Sequence, residues 1–270
     1  MALILDGKTV AQKIKDELKP ICAENKIKLT IFQAGNNPAS NVYVRNKIKA
    51  CDEVGMRSEV VKIEDDGTRS GRLSCWPGAG VMLQLPLPEG WPEDYLINLI
   101  PKKQDADCLT TASLGEFYSS SNPKLAPCTA QGIIDLLDHY NIPIEGKHAV
   151  VVGRSNIVGK PVAHLLTCRN ATVTLCHSKT QNLAELTKQA DILVVAIGKA
   201  KFITADMVKP GAVVIDVGIN RDENGKLCGD VDFDQVKEVA SAITPVPGGC
   251  GPMTVAELLK NTVKLYERNC

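Results

Sequence analysis

Short runs of β-branched and aliphatic residues alternate with segments of helical periodicity along most of the chain. The run His-Ala-Val-Val-Val at 148–152 has the composition of a strand that is buried on both faces of a parallel sheet. A glycine-rich turn at 153–161 follows it, and a helical pattern then leads to a second strand at 171–176. Strand, turn, helix and strand form a βαβ unit, whose turn presents backbone N–H groups where a phosphate can bind.

The same two periodicities predict the other elements. Strands are predicted over the apolar runs 28–33, 58–63, 81–88, 192–197, 212–217 and 243–244. Helices are predicted over 7–18, where Pro20 is expected to end the first one, and over 40–54, 92–100, 130–139, 182–189 and from Thr254, as N-cap, onward. Residues 105–122 are predicted to be a loop-rich connection. Residues 64–80 show little helical periodicity, although a parallel crossover usually contains a helix.

Composition restricts the class of protein. The 270 residues are enough for two modest domains, each with its own core. The 31 basic and 31 acidic residues balance, which gives no support for a nucleic acid or an anionic membrane as partner. No apolar run is long enough to cross a bilayer and the N-terminus lacks a signal-peptide pattern, so a cytoplasmic location is expected. The 10 cysteines form no CxxC pair and the 4 histidines have no ligand spacing, so we expect reduced thiols and no metal.

The glycine-rich turn differs from the standard dinucleotide fingerprint. Gly153 and Gly159 are present, but Ser155 stands where a second glycine is usual, and the glycines alone are equally compatible with a tight turn that binds nothing. Arg154 lies inside the turn, and the second strand ends in His-Ser-Lys at 177–179, where an NAD site has an acidic residue. A guanidinium and a hydroxyl without a carboxylate suit a 2′-phosphate. The turn therefore predicts NADP rather than NAD.

Four polar residues are candidates for chemistry. Tyr43 and Lys47 are four positions apart and share one helix face, either as a solvated pair or as an aromatic plate beside an amine whose pKa falls on enclosure. Gln84 is a polar residue in an apolar strand, so it needs a hydrogen-bond partner, which is backbone, Lys47 or a ligand. Asp107 is either a turn residue or a carboxylate that accepts N–H bonds from a heterocycle.

Six motifs in order resemble those of the bifunctional methylenetetrahydrofolate dehydrogenase/methenyltetrahydrofolate cyclohydrolase family. They are YVRNK at 43–47, QLPLP at 84–88, PCT at 127–129, GRSNIVGKP at 153–161, DVGIN at 216–220 and PVPGGCGPMT at 245–254. The resemblance covers almost the whole chain.

This resemblance implies an α/β homodimer whose subunit has two domains with a cleft between them. Residues 1–128 plus 254–270 are expected to form an N-terminal α/β catalytic domain that binds folate, and residues 129–253 a Rossmann-type NADP-binding domain. The implied activity is NADP-dependent oxidation of 5,10-methylenetetrahydrofolate to 5,10-methenyltetrahydrofolate and its hydrolysis to 10-formyltetrahydrofolate. These tetrahydrofolate derivatives belong to one-carbon metabolism and supply purine biosynthesis.

The resemblance also implies roles for individual residues. Lys47 matches the proton-relaying amine, Tyr43 stacks on the folate, Gln84 orients Lys47, and Asp107 anchors the pterin. Further substrate-binding positions are Leu83, Leu85, Pro247, Gly248, Gly249 and Gly251. The cofactor-binding positions are Gly153, Arg154, Ser155, Ser178, Gly198 and Ile219.

The chain also departs from the family pattern. The segment 64–80 looks too short for the usual crossover helix, the usual Lys-Asp-Val-Asp-Gly becomes Gln-Asp-Ala-Asp-Cys at 104–108, and Ala130 and Cys250 replace a proline and a valine. Two alternatives therefore stay open: an enzyme that keeps only the dehydrogenase activity, and a catalytically silent NADP-binding or scaffold protein. A shikimate-dehydrogenase-like enzyme shares the two-domain layout but lacks the motifs at 84–88 and 247–249.

Overall fold

The computed structural model describes residues 2–63 and 78–269 and has two compact units. The three-stranded unit comprises residues 12–128 and 255–270, and the six-stranded unit comprises residues 1–11 and 129–254. The prediction placed residues 1–11 with the catalytic domain. They lie instead in the six-stranded unit, because the two-residue strand β1 (Leu3–Ile4) pairs in parallel with β11 (Ala242–Ile243). The predicted loss of a crossover helix falls mainly on residues 64–77, outside the described residues.

The three-stranded unit is built on a parallel sheet with the strand order β3-β2-β4. Its strands are β2 (Lys28–Ala34), β3 (Arg57–Ile63) and β4 (Gly80–Gln84). β4 is entirely buried and β2 nearly so, as their apolar sequences predict for strands covered on both faces.

The six-stranded unit contains a parallel sheet with the order β1-β11-β8-β7-β5-β6. Its other strands are β5 (His148–Val152), β6 (Thr172–Cys176), β7 (Ile192–Val195) and β8 (Val213–Asp216), with a separate hairpin of β9 (Asn220–Arg221) and β10 (Leu227–Cys228). The chain leaves β5 toward β6 on one side and returns to β7 on the other, so the direction of winding reverses at β5. Open α/β sheets bind ligands at such a switch point.

Nine α-helices occur in the described residues. They are α1 (Gly7–Glu24), α2 (Pro38–Val54), α3 (Glu93–Asn98), α4 (Thr111–Ser119), α5 (Cys128–His139), α6 (Gly159–Cys168), α7 (Leu183–Thr187), α8 (Phe233–Val236) and α9 (Cys250–Asn269). Together with the parallel sheets they confirm the predicted α/β class.

The strand predicted over 81–88 ends at Gln84, and three predictions about helices were wrong by four residues or more. Helix α1 continues through Pro20 to Glu24, because Cys22 remains buried on its apolar face and outweighs the missing proline N–H. The connection 105–122 contains α4, whose N-cap Thr110 accepts a hydrogen bond from the backbone N–H of Ser113.

At the C-terminal end, α9 begins at Cys250, four residues before the predicted cap. The hydroxyl of Thr254 donates to the carbonyl of Cys250 at 3.2 Å, so Thr254 lies inside the helix.

The β9–β10 hairpin was not predicted, because strands as short as Asn220–Arg221 and Leu227–Cys228 show no alternation of apolar and polar residues.

Eight cysteines of the described residues are free, and six of them are buried: Cys22, Cys51, Cys108, Cys128, Cys176 and Cys250. Across residues 2–63 and 78–269, no group of three or more His, Cys, Asp and Glu side chains is arranged to hold a metal ion. None of the helices in these same ranges is both long and apolar enough to span a bilayer.

Candidate functional site

The amine of Lys47 is buried in the three-stranded unit, with 7% of the residue exposed. Helix α2 supplies Lys47 and strand β4 supplies its two partners. Nζ donates to Oε1 of Gln84 at 2.9 Å and lies 3.3 Å from Sδ of Met82. Met82 and Gln84 are two positions apart in β4 and therefore project from the same face of the sheet. The strand thus presents one polar and one soft acceptor to the amine.

Gln84 connects Lys47 to the end of the strand. Its Nε2 donates to the carbonyl of Leu85 at 2.6 Å while its Oε1 accepts from Lys47. The side-chain amide is therefore held at both ends. Because Gln84 is neutral, it orients the amine without placing a negative charge beside it.

Burial lowers the pKa of Lys47, because an ammonium without water is costly. The charge of Asp107 opposes this shift, and the thiols of Cys128 and Cys51 oppose it more weakly. The amine is thus made more basic by one carboxylate and less basic by its enclosure, and enclosure is the larger effect.

Asp107 is half-buried in the loop that precedes α4. Burial raises the pKa of its carboxyl, while the charge of Lys47 and a hydrogen bond with Cys128 lower it. Cys128, within the motif PCT at 127–129, also belongs to this site. Its buried thiol lies 3.4 Å from the carbonyl of Ala106 and 3.5 Å from Nδ2 of Asn261, and burial raises its pKa well above the usual value.

The loop that carries Asp107 is anchored by Asp105, a residue whose role no sequence pattern indicated. Its buried carboxylate accepts the backbone N–H of Thr110 at 2.8 Å and that of Leu109 at 3.3 Å. Cys108 in the same loop has φ +57°, the left-handed conformation that glycine adopts most easily. Cys108, which stands where the family usually has a glycine, therefore adopts a left-handed backbone conformation.

Tyr43 lies one helical turn before Lys47 and is half-buried, and burial raises the pKa of its phenol. Leu83, two residues after Val81 in β4, belongs to a buried cluster with Phe32 and Leu96. The Leu83 side chain is therefore part of the core, which leaves its backbone for the predicted substrate contact. Leu85 packs against the same cluster while remaining partly exposed.

The glycine-rich turn lies in the six-stranded unit at the carboxyl end of β5. Gly153 has φ +125°, and a Cβ there would lie 2.2 Å from the carbonyl oxygen of Ala196. A Cβ on Gly159 would lie 1.9 Å from the carbonyl oxygen of Gly153. Both positions exclude any larger residue, so the backbone is able to close tightly into the first turn of α6.

Ser155 stabilises this turn from within. Its Oγ accepts the backbone N–H groups of Val158 at 3.2 Å and Gly159 at 3.3 Å. Arg154 is exposed in the turn, and Ser178 is exposed just after β6, the parallel neighbour of β5. An exposed guanidinium and hydroxyl after adjacent parallel strands fit the 2′-phosphate of NADP.

Two more predicted cofactor positions follow the next strands. Gly198 comes after β7 with φ +66°, and Ile219 comes after β8 with 47% of the residue exposed. The carboxyl ends of β5, β6, β7 and β8 thus all carry residues of the predicted cofactor set on one edge of the sheet.

The predicted folate-side residues Pro247, Gly248, Gly249 and Gly251 also lie in the six-stranded unit. The N–H of Gly249 donates to the carbonyl of Pro245 at 2.8 Å. The loop packs on the start of α1, where a Cβ at Gly7 would lie 1.9 Å from the Gly249 carbonyl oxygen. The structure therefore brings Lys47, Gln84 and Asp107 together in one unit and places this loop in the other.

Comparison with known proteins matches the chain to one family through two domain models. Residues 5–107 match the catalytic domain of the tetrahydrofolate dehydrogenase/cyclohydrolase family, and residues 127–270 match its NAD(P)-binding domain. The chain is 50% identical over 280 aligned residues to the bifunctional protein FolD of Agathobacter rectalis, with 99% of this chain and 100% of the relative covered.

Two solved structures are also similar. The bifunctional enzyme FolD of Campylobacter jejuni, a methylenetetrahydrofolate dehydrogenase/cyclohydrolase, is 40% identical with a TM-score of 0.95 and 100% coverage of both chains. The FolD of Trypanosoma brucei, solved with NADP cofactor and an inhibitor, is 36% identical with a TM-score of 0.93 and covers 99% of this chain and 98% of its own. Because both domains match and full-length relatives share 50% of the aligned residues, this chain belongs to the tetrahydrofolate dehydrogenase/cyclohydrolase family.

Proposed function

We propose that Lys47 is the proton-transferring group of a bifunctional enzyme that oxidises 5,10-methylenetetrahydrofolate with NADP and hydrolyses the methenyl product to 10-formyltetrahydrofolate. The observation that carries the proposal is the buried Lys47 amine, hydrogen-bonded to Gln84 at 2.9 Å. The oxidation and the hydrolysis are the activities of the family to which the chain belongs.

The lowered pKa of Lys47 suits the hydrolytic step. The methenyl carbon is already an electrophile within a cation, so the protein has to position water and remove a proton from it. An ammonium would repel the cation, whereas a neutral amine does not. A neutral amine has two N–H groups and one lone pair, and donating one N–H to Gln84 leaves the lone pair for a proton of the attacking water.

Asp107 and Tyr43 are proposed to hold the folate. The Asp107 carboxylate is able to accept two N–H groups of a heterocycle, and its electrostatic contact with Lys47 keeps the pterin anchor and the amine in one site. The half-buried Tyr43 ring, one turn from Lys47, offers a flat surface for stacking.

Bound NADP would supply the hydride acceptor for the oxidation. The turn 153–159 is proposed to hold its pyrophosphate, because the two glycines let the backbone close tightly into the N-terminus of α6. Arg154 and Ser178 are proposed to bind the 2′-phosphate. Nothing in the described residues favours the dehydrogenase-only alternative, since Gln84 contacts Lys47 and Asp107 acts on it electrostatically.

We propose a homodimer in the cytoplasm, in which the three-stranded unit is the folate-binding catalytic domain and the six-stranded unit, which includes residues 1–11, is the NADP-binding domain. The unpaired side of edge strand β6, where Leu175 is exposed, offers a surface that a second copy is able to cover. Light scattering of the purified protein tests the dimer, and a monomeric mass would contradict it.

The catalytic assignment is tested with two absorbance assays on the purified protein. Methenyltetrahydrofolate is followed without NADP for hydrolysis, and methylenetetrahydrofolate with NADP for oxidation. Lys47→Met is expected to lower hydrolysis by roughly 100-fold or more. Lys49→Met is the control, because Lys49 lies on the same helix with its side chain 79% exposed. Hydrolysis that survives Lys47→Met unchanged would remove Lys47 from this role.

A further inference from the structure

Two buried aspartates lie behind the predicted cofactor loops, and neither has a role in the proposed chemistry. Asp216 ends β8, and Asp230 lies 14 residues later, beyond the β9–β10 hairpin. Asp216 is 3% exposed and Asp230 is 0% exposed. Among residues 2–63 and 78–269 no cationic side chain forms an ion pair with either carboxylate.

Asp230 gathers the two loops that carry Gly198 and Ile219. Its Oδ2 accepts the backbone N–H of Ile197 at 2.7 Å and of Gly198 at 3.0 Å. Its Oδ1 accepts the N–H of Lys199 at 2.7 Å and the side-chain amide of Asn220 at 2.8 Å. One carboxylate therefore fixes three consecutive residues after β7 and one residue after β8.

Asp216 fixes the other side of the same region. Its Oδ1 accepts the backbone N–H of Gly218 at 3.0 Å and of Asp230 at 2.9 Å, and its Oδ2 accepts that of Val231 at 2.9 Å. Asp216 thus holds the backbone of its fellow aspartate as well as the loop that leads to Ile219.

The glycines of this region make the two carboxylates interlock. A Cβ on Gly218 would lie 2.2 Å from Cγ of Asp230, and a Cβ on Gly229 would lie 1.8 Å from Oδ2 of Asp216. Asp230 therefore packs directly against Gly218, two residues after Asp216. Asp216 packs in the same way against Gly229, which directly precedes Asp230. An arrangement this tight leaves no space for a longer acid or for water between the carboxylates and the backbone.

We propose that Asp216 and Asp230 are positioning residues for the dinucleotide, which hold the loops after β7 and β8 in the conformation that binds NADP. Burying two carboxylates without a cation is costly unless their hydrogen bonds are well made. Six of these seven hydrogen bonds come from backbone N–H groups, so they define loop shape rather than global packing. The inference rests on the proposed function, because it takes Gly198 and Ile219 as cofactor positions.

The test compares Asp230→Asn with Asp191→Asn in the full-length protein. The amide of Asp230→Asn places an NH₂ group against two donors, whichever oxygen it replaces. Asp191 is a matched control in the same unit, because its carboxylate also accepts a backbone N–H, from His148 at 2.9 Å, and pairs with Lys209. It differs in position, since it precedes β7 and the predicted cofactor residues follow the strands. NADP binding is measured by calorimetry, and NADP-independent hydrolysis of methenyltetrahydrofolate is measured on the same samples.

Asp230→Asn is expected to raise the Kd for NADP by about ten-fold or more and the KM for NADP with it, because the loop loses charge-assisted hydrogen bonds. Hydrolysis is expected to stay within about two-fold, and Asp191→Asn is expected to leave the Kd unchanged. An unchanged Kd in Asp230→Asn, or an equal increase in Asp191→Asn, would overturn the inference. If wild type binds no NADP, the proposed function fails as well.

A milder variant keeps the inference testable if Asp230→Asn does not fold. Asn220→Ala removes the single 2.8 Å bond to Asp230 and leaves both carboxylates in place. It is expected to raise the Kd for NADP by about three-fold, which corresponds to the loss of one hydrogen bond. Unchanged NADP affinity in this variant would contradict the positioning role.

Discussion

The Nζ of Lys47 and the Oε1 of Gln84 are 2.9 Å apart, although 37 residues separate the two in the chain. The contact joins the middle of α2 to the last residue of β4. It places the amine where water is scarce and a neutral acceptor is available. The chemistry proposed for the site depends on this environment, because burial is what lowers the pKa of the lysine amine.

Replacing Lys47 with arginine tests whether the neutral form matters. A guanidinium does not lose its proton in proteins, so Lys47→Arg keeps the charge and removes the base. We expect hydrolysis of methenyltetrahydrofolate to fall by about 100-fold or more at every pH between 6 and 9. Activity in Lys47→Arg that approaches wild type at any of these pH values would show that the amine is not the base.

Gln84→Glu is expected to move the pH profile of hydrolysis. A carboxylate within hydrogen-bond distance of the amine favours the ammonium and raises the pKa of Lys47, opposing the effect of burial. The base is then protonated at neutral pH, so the rate near pH 7 should fall and recover as the pH rises. The measurement is the hydrolytic rate from pH 6 to pH 10.

Gln33→Glu is the matched control for that profile. Gln33 is buried, occupies the position on β2 that is in register with Gln84, and accepts a hydrogen bond from Lys62 at 2.8 Å. The new carboxylate is therefore compensated by Lys62, and a much smaller displacement is expected. Equal profiles for the two variants would contradict a specific action of residue 84 on Lys47.

Gly153→Ala is expected to unfold the six-stranded unit more easily. The added Cβ would meet the Ala196 carbonyl at 2.2 Å in a backbone conformation that also disfavours alanine. We expect a loss of about 3 kcal/mol in the free energy of unfolding. Gly146→Ala isolates the backbone contribution, because Gly146 has φ +71° with nothing within 4 Å, and it should cost about 1 kcal/mol. If Gly153→Ala and Gly146→Ala lower the free energy of unfolding in urea equally, the turn at Gly153 is able to relax around the added Cβ.

Asp216→Asn is expected to change how stability depends on pH. Burial raises the pKa of Asp216 from a usual value of 3.8 to about 7. The effect of burial is larger than that of the backbone hydrogen bonds, which lower the pKa. The folded state therefore holds a proton that the unfolded chain has released, and the stability this provides is lost as the pH rises toward 7. Relative to Asp216→Asn, wild type should lose about 2 kcal/mol between pH 5 and pH 8.

Urea unfolding of both proteins at the two pH values measures that difference. Asp191→Asn again serves as the control, because its hydrogen bonds lower the pKa of Asp191, so the carboxyl stays ionised across this range. A difference between wild type and Asp216→Asn that does not vary with pH would show that Asp216 is ionised throughout.

The sequence by itself determined the alternation of strands and helices, the βαβ unit and the family. These depend on local features: β-branched runs such as 148–152, helical spacing, and glycines that only one kind of turn accepts. It also identified Lys47, Gln84 and Asp107 as candidates, because a polar residue in an apolar strand or on a shared helix face is visible without coordinates. What these residues do to one another was left open.

Only the tertiary structure decided that the Lys47 amine is buried against Gln84, that Asp105 anchors the Asp107 loop, and that Asp216 and Asp230 interlock behind the cofactor loops. Burial and hydrogen-bond partners come from segments far apart in the chain, so no local pattern encodes them. The same holds for residues 1–11, which join the six-stranded unit through a strand of two residues. Local periodicity thus sets the elements, and the packing between them sets the pKa values and loop shapes on which the chemistry depends.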